Sequence, residues 1–225
     1  FITHHNALDV EMYLRIAPEL YLKRMIVGGF EKVFELGRVF RNEGIDQTHS
    51  PEFTMMESYE AYTNVSGVIE MVENMCSTVF DDLELSTDIS FDEKNADFSF
   101  PWAKASMFTL VSEEVGIKVE FSSDFNEVVE QLNKKDIEVN SEINTTGLLV
   151  YDLFERFVEE KIVNPTFVID YPVEVSPFAR NNKNNPNITE RFELFAFGSE
   201  LANGFSELID SVEQEARLKS QAIKK

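Results

Sequence analysis

Charged side chains alternate with apolar ones in two neighbouring segments of the chain, a pattern that indicates a binding site. Residues 33–62 read VFELGRVFRNEGIDQTHSPEFTMMESYEAY, with Arg41 and Glu43 on the first segment and Glu57 and Tyr59 on the second. Both segments look like strands, and a strand sends alternate side chains to the same face. A hairpin would therefore gather these groups on one side of a sheet. There, the planar guanidinium of Arg41 would suit a phosphate or a carboxylate.

Two further residues of this region fit a nucleotide site. Phe53 shares a face with Glu57 and Tyr59 and offers a flat platform for a base, while His49 lies on the connecting loop within reach of a phosphate. The spacing is equally compatible with an ordinary arginine–glutamate pair across the strands and common aromatic packing. From the residues alone, both interpretations stay open.

A later segment adds three carboxylates. Residues 191–208 read RFELFAFGSELANGFSEL and predict a hairpin whose turn separates Glu193 from Glu200. Two carboxylates together with nucleotide phosphates are a common way to hold Mg²⁺. Glu57 and Glu207 would repel each other in one pocket unless a cation such as an ammonium group lay between them. Solvated surface glutamates are the alternative in a chain this acidic.

Composition limits the fold and the partners. The 225 residues are 43% hydrophobic and include 20 Phe, which is enough for one large domain or two small ones with a sizeable core. The 41 acidic residues outnumber the 20 basic ones, so the net charge is −21 and non-specific binding of nucleic acid is disfavoured. A nucleic-acid partner would need a local patch or other parts of the protein. The single cysteine excludes an internal disulfide, and no apolar run approaches the ~20 residues that span a bilayer. We expect no membrane partner and a cytoplasmic setting.

The pattern of elements predicts an α+β domain with an antiparallel sheet flanked by helices. Pro18 and Gly28 bracket a predicted helix, and Asn64 is the expected N-cap of a second one. The stretch from about 106 to 163 is predicted to be a helical insertion. The expected strands are residues 12–16, 33–43, 53–62, 167–171, 191–197 and 200–205, with one or two more between 81 and 105.

Three stretches of the chain carry a resemblance to a known family. FRNEGIDQTHSPEFTMMESYEAY closely resembles the second signature motif of class II aminoacyl-tRNA synthetases, and in particular of bacterial-type lysyl-tRNA synthetases. APELYLKRMIVGGFEKVFELGRVFRNEG and YPVEVSPFARNNKNNPNITERFELFAFGSELANGFSEL resemble the same family. The similarity runs over nearly the whole chain and is weakest from about 86 to 145. It implies the antiparallel catalytic sheet of class II synthetases.

The resemblance implies roles for individual residues. Arg41 would be catalytic, binding both the α-phosphate of ATP and the carboxylate of lysine. The implied ATP-binding residues are Arg41, Glu43, His49, Phe53, Glu193 and Glu200. The implied lysine-binding residues are Glu19, Arg41, Glu57, Tyr59, Asn203, Phe205 and Glu207. Glu193 and Glu200 would also hold Mg²⁺ on the phosphates.

The activity implied is ATP-dependent conversion of L-lysine to lysyl-adenylate, followed by transfer to tRNA(Lys) in protein synthesis, in a homodimer. The alternatives are a lysyl-transferase paralogue acting on a protein or a lipid, and a non-catalytic module that binds lysine and ATP. The family's first motif would precede Phe1, and its third motif would follow Lys225. An anticodon-binding domain would lie before both. We therefore expect the sequence to be an interior part of the catalytic domain.

Overall fold

The computed structural model of the chain describes residues 1–42, 44 and 49–223, so the candidate residue Glu43 lies outside the described residues. The chain divides into two compact units, Phe1–Thr63 and Asn64–Lys225. Each unit has its own helical and strand elements.

The first unit consists of two antiparallel hairpins and one helix. The hairpins pair β1 (Ile2–His5) with β2 (Val10–Tyr13) and β3 (Lys32–Phe40) with β4 (Glu52–Glu60), and helix α1 spans Glu19–Val27. Pro18 directly precedes α1, at a position where its missing N–H removes no helical hydrogen bond. Leu22 of α1 and Val39 of β3 are the apolar side chains of this unit that are almost fully buried, at 3% and 1% exposure.

The second unit is built on a four-stranded sheet in the order β10–β9–β8–β7. Its strands are β7 (Ala103–Ser106), β8 (Thr166–Ile169), β9 (Arg191–Ala196) and β10 (Ser199–Phe205), with a separate hairpin of β5 (Asp88–Phe91) and β6 (Lys94–Asp97). Its helices are α2 (Val65–Asp82), α3 (Met107–Val115), α4 (Phe125–Asn133), α5 (Thr146–Phe157) and α6 (Ser211–Ile223), with short 3-10 turns at Glu159–Lys161 and Val173–Val175. The predicted α+β architecture is confirmed.

One pair of strands in this sheet is parallel, which the sequence analysis did not predict. β8, β9 and β10 are antiparallel neighbours, whereas β7 runs parallel to β8. Parallel neighbours need a long crossover connection, and the residues between β7 and β8 supply it with α3, α4 and α5. The predicted helices of this stretch are present. That the stretch is an insertion stays a prediction.

Both faces of the sheet are covered by apolar side chains. Phe192 and Leu194 of β9 point to the face that packs with Ile69 and other residues of α2. Phe195 points to the opposite face, where α3 and α5 provide the core. Strands buried on both faces read as continuous apolar runs. Glu193 interrupts that run at only 8% exposure, so it needs a polar partner.

Element boundaries differ from the predictions in defined ways. Asn64 caps α2 as expected, its side chain accepting hydrogen bonds from two backbone N–H groups at 3.0 and 3.2 Å. β3 ends at Phe40, so the prediction that it reaches residue 43 is wrong. The N–H of Arg41 donates to Pro51 O at 2.9 Å, but Pro51 has no N–H to return, which ends the ladder. β4 ends before Tyr62, whose φ of 64° is left-handed. No strand was predicted at the position of β1.

Within the part of the chain that the structure describes, no helix combines the length and the apolar character needed to cross a membrane.

Candidate functional site

The candidate residues fall into two groups, one in each unit. Glu19, Arg41, His49, Phe53, Glu57 and Tyr59 lie in the first unit, and Glu193, Glu200, Asn203, Phe205 and Glu207 lie in the second. The β3–β4 hairpin positions most of the first group. The β9–β10 hairpin and the residues after it position the second.

Arg41 follows β3 directly and lies against the same face as Phe53. Its guanidinium carbon is 5.3 Å from the centroid of the Phe53 ring, and its Nε donates to Ile16 O at 3.2 Å. Nη2 approaches the sulfur of Met55 at 3.8 Å. No ion pair joins Arg41 to a carboxylate of the described residues. The hairpin thus places Arg41 and Phe53 on one face, as the alternation predicted, and the guanidinium lies over the aromatic ring, which was not predicted.

His49 lies exposed in the loop between β3 and β4, as expected for its position. Its exposed position does not test whether it binds a phosphate, so that role stays a prediction. The same holds for Glu43, which lies outside the described residues.

Glu57 and Tyr59 occupy alternate positions of β4 and meet on one face. The Tyr59 hydroxyl donates a short hydrogen bond to Glu57 Oε1. The half-buried carboxylate of Glu57 is thereby given a defined orientation, which suits recognition of an ammonium group.

Glu19 begins α1 and has a partner that the sequence analysis missed. Lys23, one helical turn later, places its Nζ 2.6 Å from Glu19 Oε1 and 5.4 Å from the centroid of the Tyr59 ring. The spacing of four residues was a usable signal for this pair. The chain's own ammonium group therefore lies where the resemblance places the amino group of lysine.

An arginine that the sequence analysis also missed lies on the same hairpin face. Arg15 forms an ion pair with Glu35 and donates from Nε to Arg38 O at 2.9 Å. Glu35 stands directly opposite Glu57 in the register, so Arg15 offsets one of two facing negative charges. The Arg15 side chain crosses over Gly37, where a Cβ would lie 2.4 Å from its Nη2.

In the second unit, the register of the β9–β10 hairpin decides which side chains share a face. Glu193 pairs with Asn203, and Glu200 pairs with Phe195. Glu193 and Phe195 are alternate residues of β9, so all four side chains point to the same face. Glu193 and Glu200 flank the turn as predicted, but Glu200 stands opposite Phe195 and not opposite Glu193, because the turn pairs Ala196 with Ser199. That the two carboxylates meet stays a prediction.

A β-bulge brings Glu200 and Asn203 to one face although they are three residues apart. The register shifts by one residue between Glu200 and Ala202, which leaves Leu201 as the extra residue. Phe205, which pairs with Arg191, follows Asn203 on that face. Glu200 and Asn203 are exposed, and Phe205 is half-buried.

Glu193 has two partners that hold both of its carboxylate oxygens. The Tyr171 hydroxyl donates to Oε2 at 2.7 Å, and Arg191 Nη2 donates a short bond to Oε1. The Arg191 guanidinium carbon also lies 4.5 Å from the centroid of the Tyr171 ring. Burial, together with the neighbouring Glu193 carboxylate, raises the pKa of Tyr171, so the hydroxyl keeps its proton and remains a donor.

Other acidic groups surround this carboxylate. Burial raises the pKa of Glu159, and the negative charges of Glu193 and Glu155 raise it further. Burial likewise raises the pKa of Tyr151, and the nearby Glu155 carboxylate raises it further. Arg191 pairs with Glu193, and the charges of Glu155 and Glu193 both act on Glu159, so the local field favours a further cation.

Glu207 follows β10 and is fixed through its backbone. It pairs with Ala179 in an isolated antiparallel bridge. The neighbouring N–H of Leu208 donates to Phe178 O at 2.8 Å, and the N–H of Arg180 donates to Ser206 O at 2.8 Å. These bonds extend the edge of the sheet, so the half-buried Glu207 side chain projects from ordered backbone.

The candidate donors for a metal ion are two carboxylates. Among the described residues, no group of three or more His, Cys, Asp or Glu side chains is arranged to hold a metal. Mg²⁺ is usually bound by one or two carboxylates, several waters and substrate phosphates. Glu193 and Glu200 supply that number on one face, and each oxygen of Glu193 retains a lone pair beyond its hydrogen bond. The residues present therefore fit a phosphate-bound Mg²⁺.

Comparisons with known proteins place the chain in a family. The family model described as tRNA synthetases class II (D, K and N) matches residues 1–225. A lysine–tRNA ligase of Prochlorococcus marinus subsp. pastoris is 50% identical over 222 residues, which are 98% of this chain and 43% of that protein. A lysine–tRNA ligase of a Synechococcus species is 46% identical over 225 residues, 100% of this chain and 45% of that protein. The chain thus spans less than half the length of these relatives.

Proposed function

The chain belongs to the class II tRNA synthetases (D, K and N), and from this premise we propose that its protein is a lysine–tRNA ligase. The protein would activate L-lysine with ATP and transfer the lysyl group to tRNA(Lys). The observation that carries the proposal is the face of the β3–β4 hairpin, where Arg41 lies on Phe53 and Glu57 is oriented by Tyr59. The Arg41 guanidinium suits an α-phosphate and a carboxylate, and the Glu57 carboxylate suits an ammonium group.

In the proposed reaction the lysine carboxylate attacks the α-phosphorus of ATP, and pyrophosphate leaves with the electrons of the broken bond. Arg41 would hold the attacking carboxylate and the α-phosphate together, which lowers the barrier through positioning and charge stabilisation. A ribose hydroxyl of the tRNA then attacks the lysyl carbonyl, and AMP leaves. No side chain of the chain has to form a covalent bond.

Selection of lysine would depend on carboxylates at both ends of the amino acid. Glu19 would bind the α-amino group. The α-amino group would either displace the Lys23 ammonium, which lies 2.6 Å from Glu19 Oε1, or bind Glu19 together with it. Glu57, Tyr59 and Glu207 would bind the ε-ammonium, with Asn203 and Phe205 lining the pocket. Mg²⁺ held through Glu193 and Glu200 would neutralise phosphate charge when bound.

The proposal extends to partners and setting. With a net charge of −21, these residues attract tRNA poorly by themselves, so tRNA contact would rest on local patches or on other parts of the protein. We also propose a homodimer and a cytoplasmic location, as befits an enzyme of protein synthesis.

The test is lysine-dependent exchange of pyrophosphate into ATP, measured on the full-length protein that contains this chain. We expect exchange that needs lysine and vanishes in Arg41→Ala. Arg41→Lys keeps the charge but loses the planar fork, and charge-assisted hydrogen bonds worth ~1.5–3 kcal/mol correspond to a loss of about 10- to 150-fold. Near-normal exchange in Arg41→Lys would contradict the role of Arg41.

Arg38→Lys is the matched control. Arg38 lies within β3 on the face opposite to that of Arg41, is exposed, and its Nε lies 3.5 Å from Glu52 Oε1. Exchange should be unchanged in this variant, because the same substitution is made away from the candidate face. Charging of tRNA(Lys) compared with a protein or lipid acceptor then separates the ligase from a lysyl-transferase paralogue. Lysine binding without any exchange would favour a non-catalytic module.

A further inference from the structure

The strand that carries Glu193 also carries an arginine whose environment is unusual. Arg191 is buried on the same face, with its side chain only 14% exposed. Nη1 donates to Val175 O at 2.8 Å and to Ser176 Oγ at 3.1 Å, and Nη2 donates to Glu193. The guanidinium also stacks over Tyr171 at 4.5 Å. Four separate groups thus fix its plane.

This arrangement is poorly explained by stability alone. A buried ion pair often contributes no more to stability than apolar residues of the same volume, because both charges lose their water. Arg191 Nε is buried and has no hydrogen-bond partner among the described residues, which costs ~1–3 kcal/mol. A buried network that retains an unsatisfied donor calls for a functional reason.

Tyr171 completes the arrangement from a different part of the chain. Its ring lies against the Arg191 guanidinium, and its hydroxyl donates to the Glu193 oxygen that Arg191 does not bind. The two donors approach different oxygens of Glu193, so the carboxylate cannot rotate without breaking one bond. One lone pair on each oxygen remains for a ligand.

We propose that Tyr171 and Arg191 are positioning residues that hold the Glu193 carboxylate in the orientation in which it binds a divalent cation on ATP. The inference rests on the proposed function, because it takes Glu193 as a metal ligand. Groups that hydrogen-bond to a metal ligand fix its orientation, and their loss typically lowers metal affinity 10- to 100-fold. Tyr171 and Arg191 touch neither metal nor substrate in this role.

The test measures ATP affinity by calorimetry with Mn²⁺, used as the probe in place of Mg²⁺, and again in EDTA. The ratio of the two affinities is the metal-dependent gain. Tyr171→Phe removes one hydroxyl and keeps the ring under the guanidinium. We expect it to lower the gain about 10-fold or more and to leave ATP affinity in EDTA unchanged. A general loss of structure would instead weaken binding in both conditions.

Two further variants keep the test decisive. Ser176→Ala removes one bond to Arg191 without touching Glu193, and should lower the gain in the same direction by a smaller factor. Tyr151→Phe is the matched control, because among the described residues the hydroxyl that donates to Glu193 is that of Tyr171 and not that of Tyr151. Its gain should equal that of the wild-type chain. The electron paramagnetic resonance spectrum of bound Mn²⁺ should change in Tyr171→Phe and not in Tyr151→Phe.

Glu193→Gln separates the two levels of the proposal. If Glu193→Gln abolishes the gain while Tyr171→Phe and Ser176→Ala keep it, the positioning role is wrong and the metal role of Glu193 stands. If the wild-type chain shows no gain, or Glu193→Gln retains it, the metal assignment is wrong and the positioning role falls with it.

Discussion

Gly37 offers a sharp test of how the first unit holds its charged face. Its backbone is not left-handed, so alanine can adopt the same conformation. Alanine in a strand is favoured over glycine by ~0.5–1 kcal/mol. On backbone grounds alone, Gly37→Ala should therefore stabilise the hairpin. We expect the opposite in the wild-type chain, because the Arg15 side chain occupies the space above Gly37.

The magnitude follows from the contacts that Arg15 would give up. A Cβ on Gly37 would lie 2.4 Å from Arg15 Nη2, so the guanidinium has to move. The move breaks the 2.9 Å bond to Arg38 O, worth ~1 kcal/mol, and the partly exposed ion pair with Glu35, worth ~0.2–1 kcal/mol. After the gain from alanine is subtracted, the free energy of unfolding should fall by about 0.2–1.5 kcal/mol. In an Arg15→Ala background, the same substitution should raise it by ~0.5–1 kcal/mol.

The assay is urea unfolding of the two single variants and the double variant, with hydrogen exchange of peptides from β3 and β4 to locate the change. The expected signature is a reversal of sign between the two backgrounds. Gly44→Ala is the control, because a Cβ there meets nothing within 4 Å. Equal destabilisation by Gly37→Ala with and without Arg15 would refute the reasoning.

Three other changes test separate features. Glu57→Gln should weaken lysine binding about 10- to 150-fold, as for any charge-assisted bond worth ~1.5–3 kcal/mol, and leave ATP binding unchanged; calorimetry measures both. Ser206→Ala removes the acceptor of the Val65 N–H at 2.9 Å and should lower the free energy of unfolding by ~1 kcal/mol in urea titrations. Glu159→Gln should stabilise the chain at neutral pH, and the gain should vanish on acidification. The pKa of Glu159 is higher in the folded than in the unfolded chain, so the wild type loses stability as pH rises above about 4.3, whereas the variant does not. Thermal unfolding at several pH values checks this, and a gain that persists in acid would contradict it.

Local signals accounted for much of the fold. Alternation identified the β3–β4 and β9–β10 hairpins, and Asn64 marked the start of α2, because these features depend on neighbours in sequence. The parallel partner of β7 was not predictable in this way, because some sixty residues of helical connection separate it from β8. Strand ends were missed where Pro51 withholds a donor or Tyr62 turns left-handed.

The candidate site shows the same division. The shared face of Arg41 and Phe53 followed from alternation alone. Arg191 carried a usable signal, since it precedes Glu193 by two residues on the same strand. Tyr171 and Arg15 did not, because their contacts with Glu193 and Glu35 are set by the tertiary fold, over 22 and 20 residues.

The bulge at Leu201 has a consequence for reading other sequences against this one. Cross-strand pairing resumes after Leu201 with Ala202 opposite Leu194, so a strand lacking this residue would keep every later side chain on its present face. An alignment gap at this position is therefore compatible with an intact β10. A gap two residues beyond the bulge, at Asn203, would turn Glu200 and Phe205 to opposite faces if the bulge at Leu201 were kept. In this hairpin, the position of a deletion matters more than its length.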